Sequence, residues 1–205
     1  MRRIDNLSPG ARLARRWILR WFDRSGWDVE GVAPAARKMI IMGAPHTSNW
    51  DFPVFYGTVR KFGLEPRFMG KASLFRWPFR RLFLGLGGVP VDRGSSTDMV
   101  AQMARVIAEC DDFALVIAAE GTRDPTSRWR TGHYRIAHAA GVPIQCAGPD
   151  YPRKRAIFGP LIMPTGDYEA DMIPAWEFFR TTVPLHPQRV LFPHGFGMDG
   201  PPREG

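Results

Sequence analysis

A histidine and an aspartate stand five positions apart, as His46 and Asp51, in a segment that also holds Ser48 and Asn49. A histidine can remove the proton from an alcohol when a carboxylate fixes the tautomer of its ring and stabilises the imidazolium that forms. Residues five apart lie about 140° apart on a straight helix and would not meet there. They can meet if His46 lies in a loop and Asp51 in the first helical turn, which the cap-forming residues between them favour.

This spacing alone is a weak signal, because a structural hydrogen bond between the two side chains explains it equally well. A second pair with the same spacing, His194 and Asp199, lies near the carboxyl terminus. We discount that pair, because residues 193–205 are rich in glycine and proline and are expected to form a loose tail. His46 and Asp51 are therefore the predicted catalytic pair.

Three basic residues follow predicted strands further along the chain. Lys71 and Arg93 each come after a short apolar run, and Arg123 comes after the apolar run at 113–118. Arginines at strand ends can bind a phosphate through paired hydrogen bonds, which predicts a site for an anionic substrate. The alternative is that these cations are solvated or paired with nearby aspartates.

Glu120, Gly121 and Thr122 stand between that strand and Arg123. The glutamate could orient one of the arginines. The backbone of the next two residues can approach a ligand closely, since glycine carries no Cβ. We assign all three residues to substrate binding.

Strands and helices alternate around these residues. Apolar runs predict strands at 38–43, 66–70, 113–118, 142–147 and 156–158, and helical periodicity predicts helices at 51–62, 97–110, 132–140 and 171–182. This order predicts an α/β fold: one domain, at 31–192, with a mixed, mostly parallel sheet flanked by helices. The carboxyl ends of parallel strands share one edge of such a sheet, and ligands bind there.

Residues 1–30 are predicted to hold a basic amphipathic helix that begins at Ser8 and Pro9. Its apolar side includes Trp17 and Trp21, and the opposite side includes three arginines: Arg12, Arg16 and Arg20. Indole rings and guanidinium groups suit the headgroup region of an anionic membrane. The alternative is a helix packed on its own domain, and both can hold if only part of its surface docks.

Composition limits the class of protein. The chain has 205 residues, a net charge of +8 and two cysteines. That cysteine count is too low for a disulfide framework or a zinc site, and no apolar run is long enough to span a bilayer. The net charge predicts a polyanionic partner. We expect a peripheral protein on the cytoplasmic face of a membrane.

The segment at 72–86 interleaves aromatic, aliphatic and basic residues. It can line a groove for an acyl chain or lie on a membrane surface. A third reading is a core helix whose arginines extend to solvent.

Four blocks of residues occur in a characteristic order between positions 38 and 165. They are the histidine–aspartate pair, the run at 88–93 preceded by 70–75, Glu-Gly-Thr-Arg at 120–123 followed by 129–132, and Ala-Gly-Val-Pro-Ile at 140–144. Together they resemble the glycerolipid acyltransferase superfamily, whose best-known members are the lysophosphatidic acid acyltransferases. The sequence departs from the common pattern at Pro45, where many members have Asn, and at 118–119, where Phe-Pro is common.

The resemblance implies an enzyme of phospholipid biosynthesis that transfers an acyl group from acyl-coenzyme A or acyl carrier protein to a hydroxyl. His46 would be the base and Asp51 would orient it. Arg93, with Glu120 and Arg123, would hold an anionic head group, and the turn at 121–122 would stabilise the oxyanion. The default acceptor is 1-acyl-glycerol-3-phosphate, and another lysolipid remains open. No cofactor, metal or acyl-enzyme is implied.

Three other functions fit parts of the sequence. A thioester or lysolipid hydrolase would use the same pair on water. A binder of anionic membranes or nucleic acid would leave the four blocks unexplained, so we expect no nucleic-acid partner. A metal site at His46, Asp51 and Glu120 lacks a known ligand spacing.

Overall fold

The computed structural model describes residues 7–32, 34–91 and 96–193, with the backbone alone at 96–98. The predicted Arg93, the pair His194–Asp199 and the tail from residue 194 lie outside the described residues. The strands are β1 Asp28–Glu30, β2 Lys38–Gly43, β3 Pro66–Lys71, β4 Gly88–Val91, β5 Phe113–Ala118, β6 Ile144–Asp150 and β7 Arg155–Ile162. The helices are α1 Pro9–Arg24, α2 Asp51–Lys61, α3 Arg80–Gly85, α4 Ser96–Ala108, α5 Gly132–Ala140 and α6 Tyr168–Phe179, with short 3₁₀ turns at Ala72–Phe75 and Pro187–Arg189.

The strands form one mixed sheet in the order β1-β7-β6-β2-β5-β3-β4. Neighbours pair in parallel throughout except β6 and β7, which are antiparallel. The α/β prediction with a mostly parallel sheet is therefore confirmed. Because β2 to β6 run the same way, their carboxyl ends meet at one edge of the sheet.

Helices cover both faces of the sheet. The larger core packs α4, α5 and α6 against alternate residues of β2 and β5, with Trp176 of α6 fully buried in it. The smaller core packs Phe55 and Val59 of α2 against the opposite face. Strands buried on both faces are continuous apolar runs, which is why they were recognisable in the sequence.

Helix α1 begins as predicted, with the Ser8 hydroxyl accepting a hydrogen bond from the amide of Ala11 and Pro9 in the first turn. It packs on the domain through Phe22, which lies against Gly57 of α2. A Cβ at Gly57 would come within 2.3 Å of the Phe22 ring, so the glycine permits this close approach. Ala11 is also buried, beside Gly85 of α3. The helix is therefore part of the domain and not a separate arm.

Several boundaries differ from the prediction by a few residues. Strand β1 was not predicted, because three residues with only partial burial give no apolar run. Strand β7 extends well beyond the predicted 156–158, and α6 begins three residues earlier than predicted. Within the described ranges, no helix combines the length and the apolar character needed to cross a bilayer.

Candidate active site

His46 and Asp51 meet where β2 ends and α2 begins. The Nδ1 of His46 lies 2.9 Å from Oδ2 of Asp51, and Asp51 is the first residue of α2. The carboxylate is completely buried, whereas the imidazole is 23% exposed. The buried group therefore holds the ring from behind, and the ring keeps one side open to a substrate.

Two backbone amides determine which ring nitrogen of His46 carries the proton. Oδ2 of Asp51 also accepts hydrogen bonds from the amides of Thr47 and Ser48, at 2.9 Å each. An oxygen that accepts two donors offers no proton of its own, so Nδ1 of His46 is the donor to it. Nε2 is then left with its lone pair free. That tautomer is the one needed by a general base.

A tyrosine completes the hydrogen bonds of Asp51. The hydroxyl of Tyr151, which follows β6, donates to Oδ1 of Asp51 at 2.7 Å. Burial and this hydrogen bond raise the pKa of Tyr151, so it stays a neutral donor. Sequence reasoning missed Tyr151, because Tyr151 and Asp51 are 100 positions apart and no spacing links them.

Replacing Tyr151 with phenylalanine removes one hydrogen bond to a buried carboxylate. Such a bond contributes about 1.5–3 kcal/mol, so we expect kcat to fall about tenfold while KM changes little. Tyr134→Phe is the matched control, because its hydroxyl bonds Asp171 outside this site. Steady-state kinetics on both variants test the role. Equal kcat in the wild type and Tyr151→Phe would exclude Tyr151 as a positioning residue.

Glu120 supports the same loop from the other side. Its Oε1 accepts a hydrogen bond from the backbone amide of His46 at 2.8 Å, and its Oε2 is buried without a partner among the described residues. Burial raises the pKa of this carboxyl. In the described part of the chain, the side chain of Glu120 thus bonds the loop of His46 and not an arginine, so the geometry favours a role in positioning His46.

A cavity of about 840 Å³ opens beside His46. It forms where the sheet divides: β3 pairs with β5 only as far as Phe68 and Val116, whereas β5 stays paired with β2 up to Ala118. Residues beyond that point, including Met69 and Ile117, line the cavity. Its walls are mainly aromatic and aliphatic side chains from α2, β3 and α3, namely Phe52, Phe55, Tyr56, Phe68, Phe83 and Leu86. The cavity wall is thus mainly apolar and includes His46.

Arginine side chains line this cavity, but only some of the cations that were predicted to bind substrate are among them. Arg123 lines it and hydrogen-bonds the side chain of Asn49. Arg130 lines it as well and crosses over Gly121, which has a φ of +67° and where a Cβ would come within 2.7 Å of the arginine chain. Lys71 is exposed at the same edge of the sheet but is not part of the cavity wall. Arg130 was missed, although it belongs to the run at 129–132 that contributed to the resemblance.

The remaining predicted binding residues, Gly121 and Thr122, line the cavity. Two further residues in its wall were not predicted, His133 and Arg67. His133 is fully buried, and burial lowers its pKa to about 4, so its imidazole is neutral. In the part of the chain that the structure describes, no three metal-ligating side chains come together.

The packing of α1 leaves four of the five predicted membrane-facing residues exposed and partly buries the fifth. Arg12, Arg16, Arg20 and Trp17 are exposed. Trp21 is half-buried and stacks on Trp50 of the catalytic loop, with ring centres 5.4 Å apart. Trp21 therefore links α1 to the loop between His46 and Asp51.

The comparisons with known proteins agree with this geometry. The model of the acyltransferase family matches residues 27–148, which is more than half of the chain and includes His46, Asp51 and the Glu-Gly-Thr-Arg block. No curated protein gives a significant match. The protein therefore belongs to the acyltransferase family and is an acyltransferase.

Proposed function

We propose that this acyltransferase moves a fatty acyl group from acyl-coenzyme A or acyl carrier protein to a hydroxyl of a lysolipid, with 1-acyl-glycerol-3-phosphate as the default acceptor. The observation that carries the proposal is the pair His46–Asp51 at the opening of a large apolar cavity. The cavity suits the acyl chain, and the free Nε2 suits the hydroxyl.

In the proposed reaction, Nε2 of His46 takes the proton as the acceptor oxygen forms its bond to the thioester carbon. The tetrahedral intermediate then collapses, the carbon–sulfur bond breaks, and the imidazolium returns the proton to the leaving thiolate. Asp51 stabilises the imidazolium between the two steps. The backbone amide of Thr122 is the proposed donor to the oxyanion, since this turn lines the cavity and the amide of Gly121 already donates to the carbonyl of Ala118.

No acyl-enzyme is required in this scheme. Both cysteines, Cys110 and Cys146, are buried and free, and neither lines the cavity. Burial raises the pKa of the Cys146 thiol, which disfavours the nucleophilic thiolate. The chemistry of the chain thus favours direct attack by the acceptor hydroxyl.

The exposed arginines of the cavity support an anionic acceptor. Arg130→Gln should raise KM for a phosphorylated acceptor about tenfold, because a charge-assisted hydrogen bond contributes about 1.5–3 kcal/mol. KM for a neutral monoacylglycerol should stay the same. Arg128→Gln is the control, since Arg128 is an exposed arginine of the same loop that does not line the cavity. An unchanged KM for the phosphorylated acceptor in Arg130→Gln would remove this role.

Helix α1 supports membrane association. Its outward side carries Leu13, 64% exposed, and Trp17, 70% exposed, beside exposed arginines. Further apolar residues are exposed in the chain between β3 and α3, including Trp77 at 90%. Large exposed apolar surface flanked by cations is typical of proteins that bind anionic lipid. We therefore place the enzyme peripherally on the cytoplasmic face of a membrane.

The double variant Leu13→Ser, Trp17→Ser should bind anionic liposomes several-fold more weakly in a flotation assay, while its melting temperature stays the same. The control is Leu161→Ser, Met163→Ser, which removes two apolar residues of similar exposure on and after β7. Deleting α1 would be a poorer test, because Phe22 belongs to the core. Equal flotation of the two double variants would refute α1 as the membrane contact.

Mass spectrometry of the lipids made by the purified protein tests the proposed function. The protein is given both donor types, with and without a mixed pool of lysolipid acceptors. The expected result is an acylated lipid that forms only with an acceptor present. Free fatty acid as the main product, with or without acceptor, would instead identify a hydrolase.

A further inference from the structure

Arg67 of β3 is a buried cation in the cavity wall. It is 9% exposed and lines the same cavity as His46. Its Nε is buried without a hydrogen-bond partner, and no hydrogen bond or ion pair joins its guanidinium to any residue that the structure describes. The ring of Phe113 lies 6.0 Å away, at the outer limit of a cation–π contact. The guanidinium is thus enclosed without an anion from the described part of the chain.

The nearest acidic residue in sequence does not pair with it. Glu65 accepts two hydrogen bonds from Arg15, at 2.7 and 2.8 Å, and a further one from Arg60. Its charge is already matched by these two arginines, which join α1 and α2 to the start of β3.

An unpaired buried charge costs folding free energy, and a guanidinium keeps its charge in proteins. Replacing such a group with an apolar side chain of similar size commonly stabilises a fold. Among the described residues, the packing around Arg67 therefore does not supply its counter-ion. A ligand that brings an anionic oxygen into the cavity does.

The register of the sheet shows how far Arg67 lies along the strands from the loop of His46. Arg67 is paired with Leu115, three residues before Ala118, and Ala118 is paired with Gly43 at the end of β2. At about 3.3 Å per residue, Arg67 lies roughly 10 Å along the strands from the edge where the loop of His46 begins. An anion held there lies on a part of the ligand that is remote from the reacting carbon.

We propose that Arg67 binds a carboxylate or phosphate on the inner part of the substrate. This deepens the proposed function and rests on it for the statement that the ligand is a substrate. The anionic group belongs either to the acyl chain, as a carboxylate at its far end, or to the acceptor, as its phosphate. In either case Arg67 selects substrates by charge at the inner part of the cavity.

Calorimetric binding of decanoate and decanol tests the anion site without turnover. The wild type should bind decanoate at least about tenfold more tightly than decanol, because charge-assisted hydrogen bonds are worth about that factor. Arg67→Met should lose the preference, and Arg67→Lys should keep part of it. Arg128→Met, which removes an exposed arginine that does not line the cavity, should keep it. A preference that survives in Arg67→Met overturns the proposal.

The melting temperature gives a second readout. Arg67→Met should melt at the same or a higher temperature than the wild type, since an unpaired buried charge is removed and the length of the side chain is nearly kept. A lower melting temperature would mark Arg67 as a structural residue and overturn the proposal.

Two binding arms identify the source of the anion. One compares dodecanedioyl-coenzyme A with dodecanoyl-coenzyme A, and the other compares lysophosphatidic acid with monoacylglycerol. If Arg67→Met loses the preference for dodecanedioyl-coenzyme A, the acyl chain carries the anion. If it loses the preference for lysophosphatidic acid, the acceptor carries the anion. Loss in neither arm overturns the proposal. Failure of the wild type to transfer acyl groups would refute the proposed function instead, and these binding results would still stand.

Discussion

Replacing His46 with alanine should lower kcat for acyl transfer by about 10²–10⁴-fold, the usual contribution of a general base. Without the imidazole, no group at this position can take the proton of the acceptor hydroxyl as it attacks. The hydroxyl must then attack while protonated or lose its proton to water. Release of free coenzyme A, followed with a thiol reagent and acceptor present, measures the loss.

The fold should tolerate His46→Ala. The ring is partly exposed and its side-chain hydrogen bond is to Asp51 alone, which keeps its bonds to two amides and to Tyr151. Melting temperature and liposome flotation should therefore match the wild type. His138→Ala removes an exposed histidine of α5 and should remain fully active. Turnover retained in His46→Ala, with the fold intact, would reject the mechanism.

Replacing Asp51 with asparagine should lower kcat by about 10²–10⁴-fold. It should lower the melting temperature less than Asp51→Ala does. The amide oxygen can still accept from Thr47 and Ser48. The amide nitrogen can donate to the hydroxyl oxygen of Tyr151, which is able to accept as well as donate. The negative charge that stabilises the imidazolium of His46 is lost. Kinetics and melting temperature measured on the same preparation separate activity from stability.

Asp51→Ala serves as the contrasting variant. It leaves two buried backbone amides and the hydroxyl of Tyr151 without their acceptor, at a cost of about 1–3 kcal/mol for each unsatisfied group. We expect a marked fall in melting temperature in addition to the loss of activity. If Asp51→Asn turned over at the rate of the wild type, the charge of Asp51 would have no part in catalysis.

The loop between His46 and Asp51 also contacts α1, the helix that carries exposed apolar side chains. Trp50 lies between His46 and Asp51 and stacks on Trp21 of α1. Phe22, the next residue of α1, is buried against α2, which begins with Asp51. Under the proposed function, the surface that meets lipid and the group that acts on a lipid substrate are therefore held by one set of aromatic contacts.

The sequence alone was sufficient for most of the elements and for the proximity of His46 and Asp51. Apolar runs and helical periodicity are local signals, so β2, β5 and α5 were predicted close to their observed limits. The positions of His46 and Asp51 followed from a strand end, a loop and a helix start that are contiguous in the chain. Parallel strands then bring their carboxyl ends to one edge, which is why Glu120 was predicted near His46.

Only the tertiary structure showed what surrounds that pair. The hydroxyl of Tyr151 reaches Asp51 from 100 residues away, and the pairing of β3 with β5 ends partway along the strands to open the cavity. Arg67 lies in a predicted strand, and only the structure shows that it is buried with no hydrogen-bond partner for its Nε among the described residues. These features depend on contacts between distant segments and on where two strands diverge. Contacts between distant segments and the point where two strands diverge produce no periodicity, motif spacing or compositional bias in the sequence. These features are therefore set only when the chain folds.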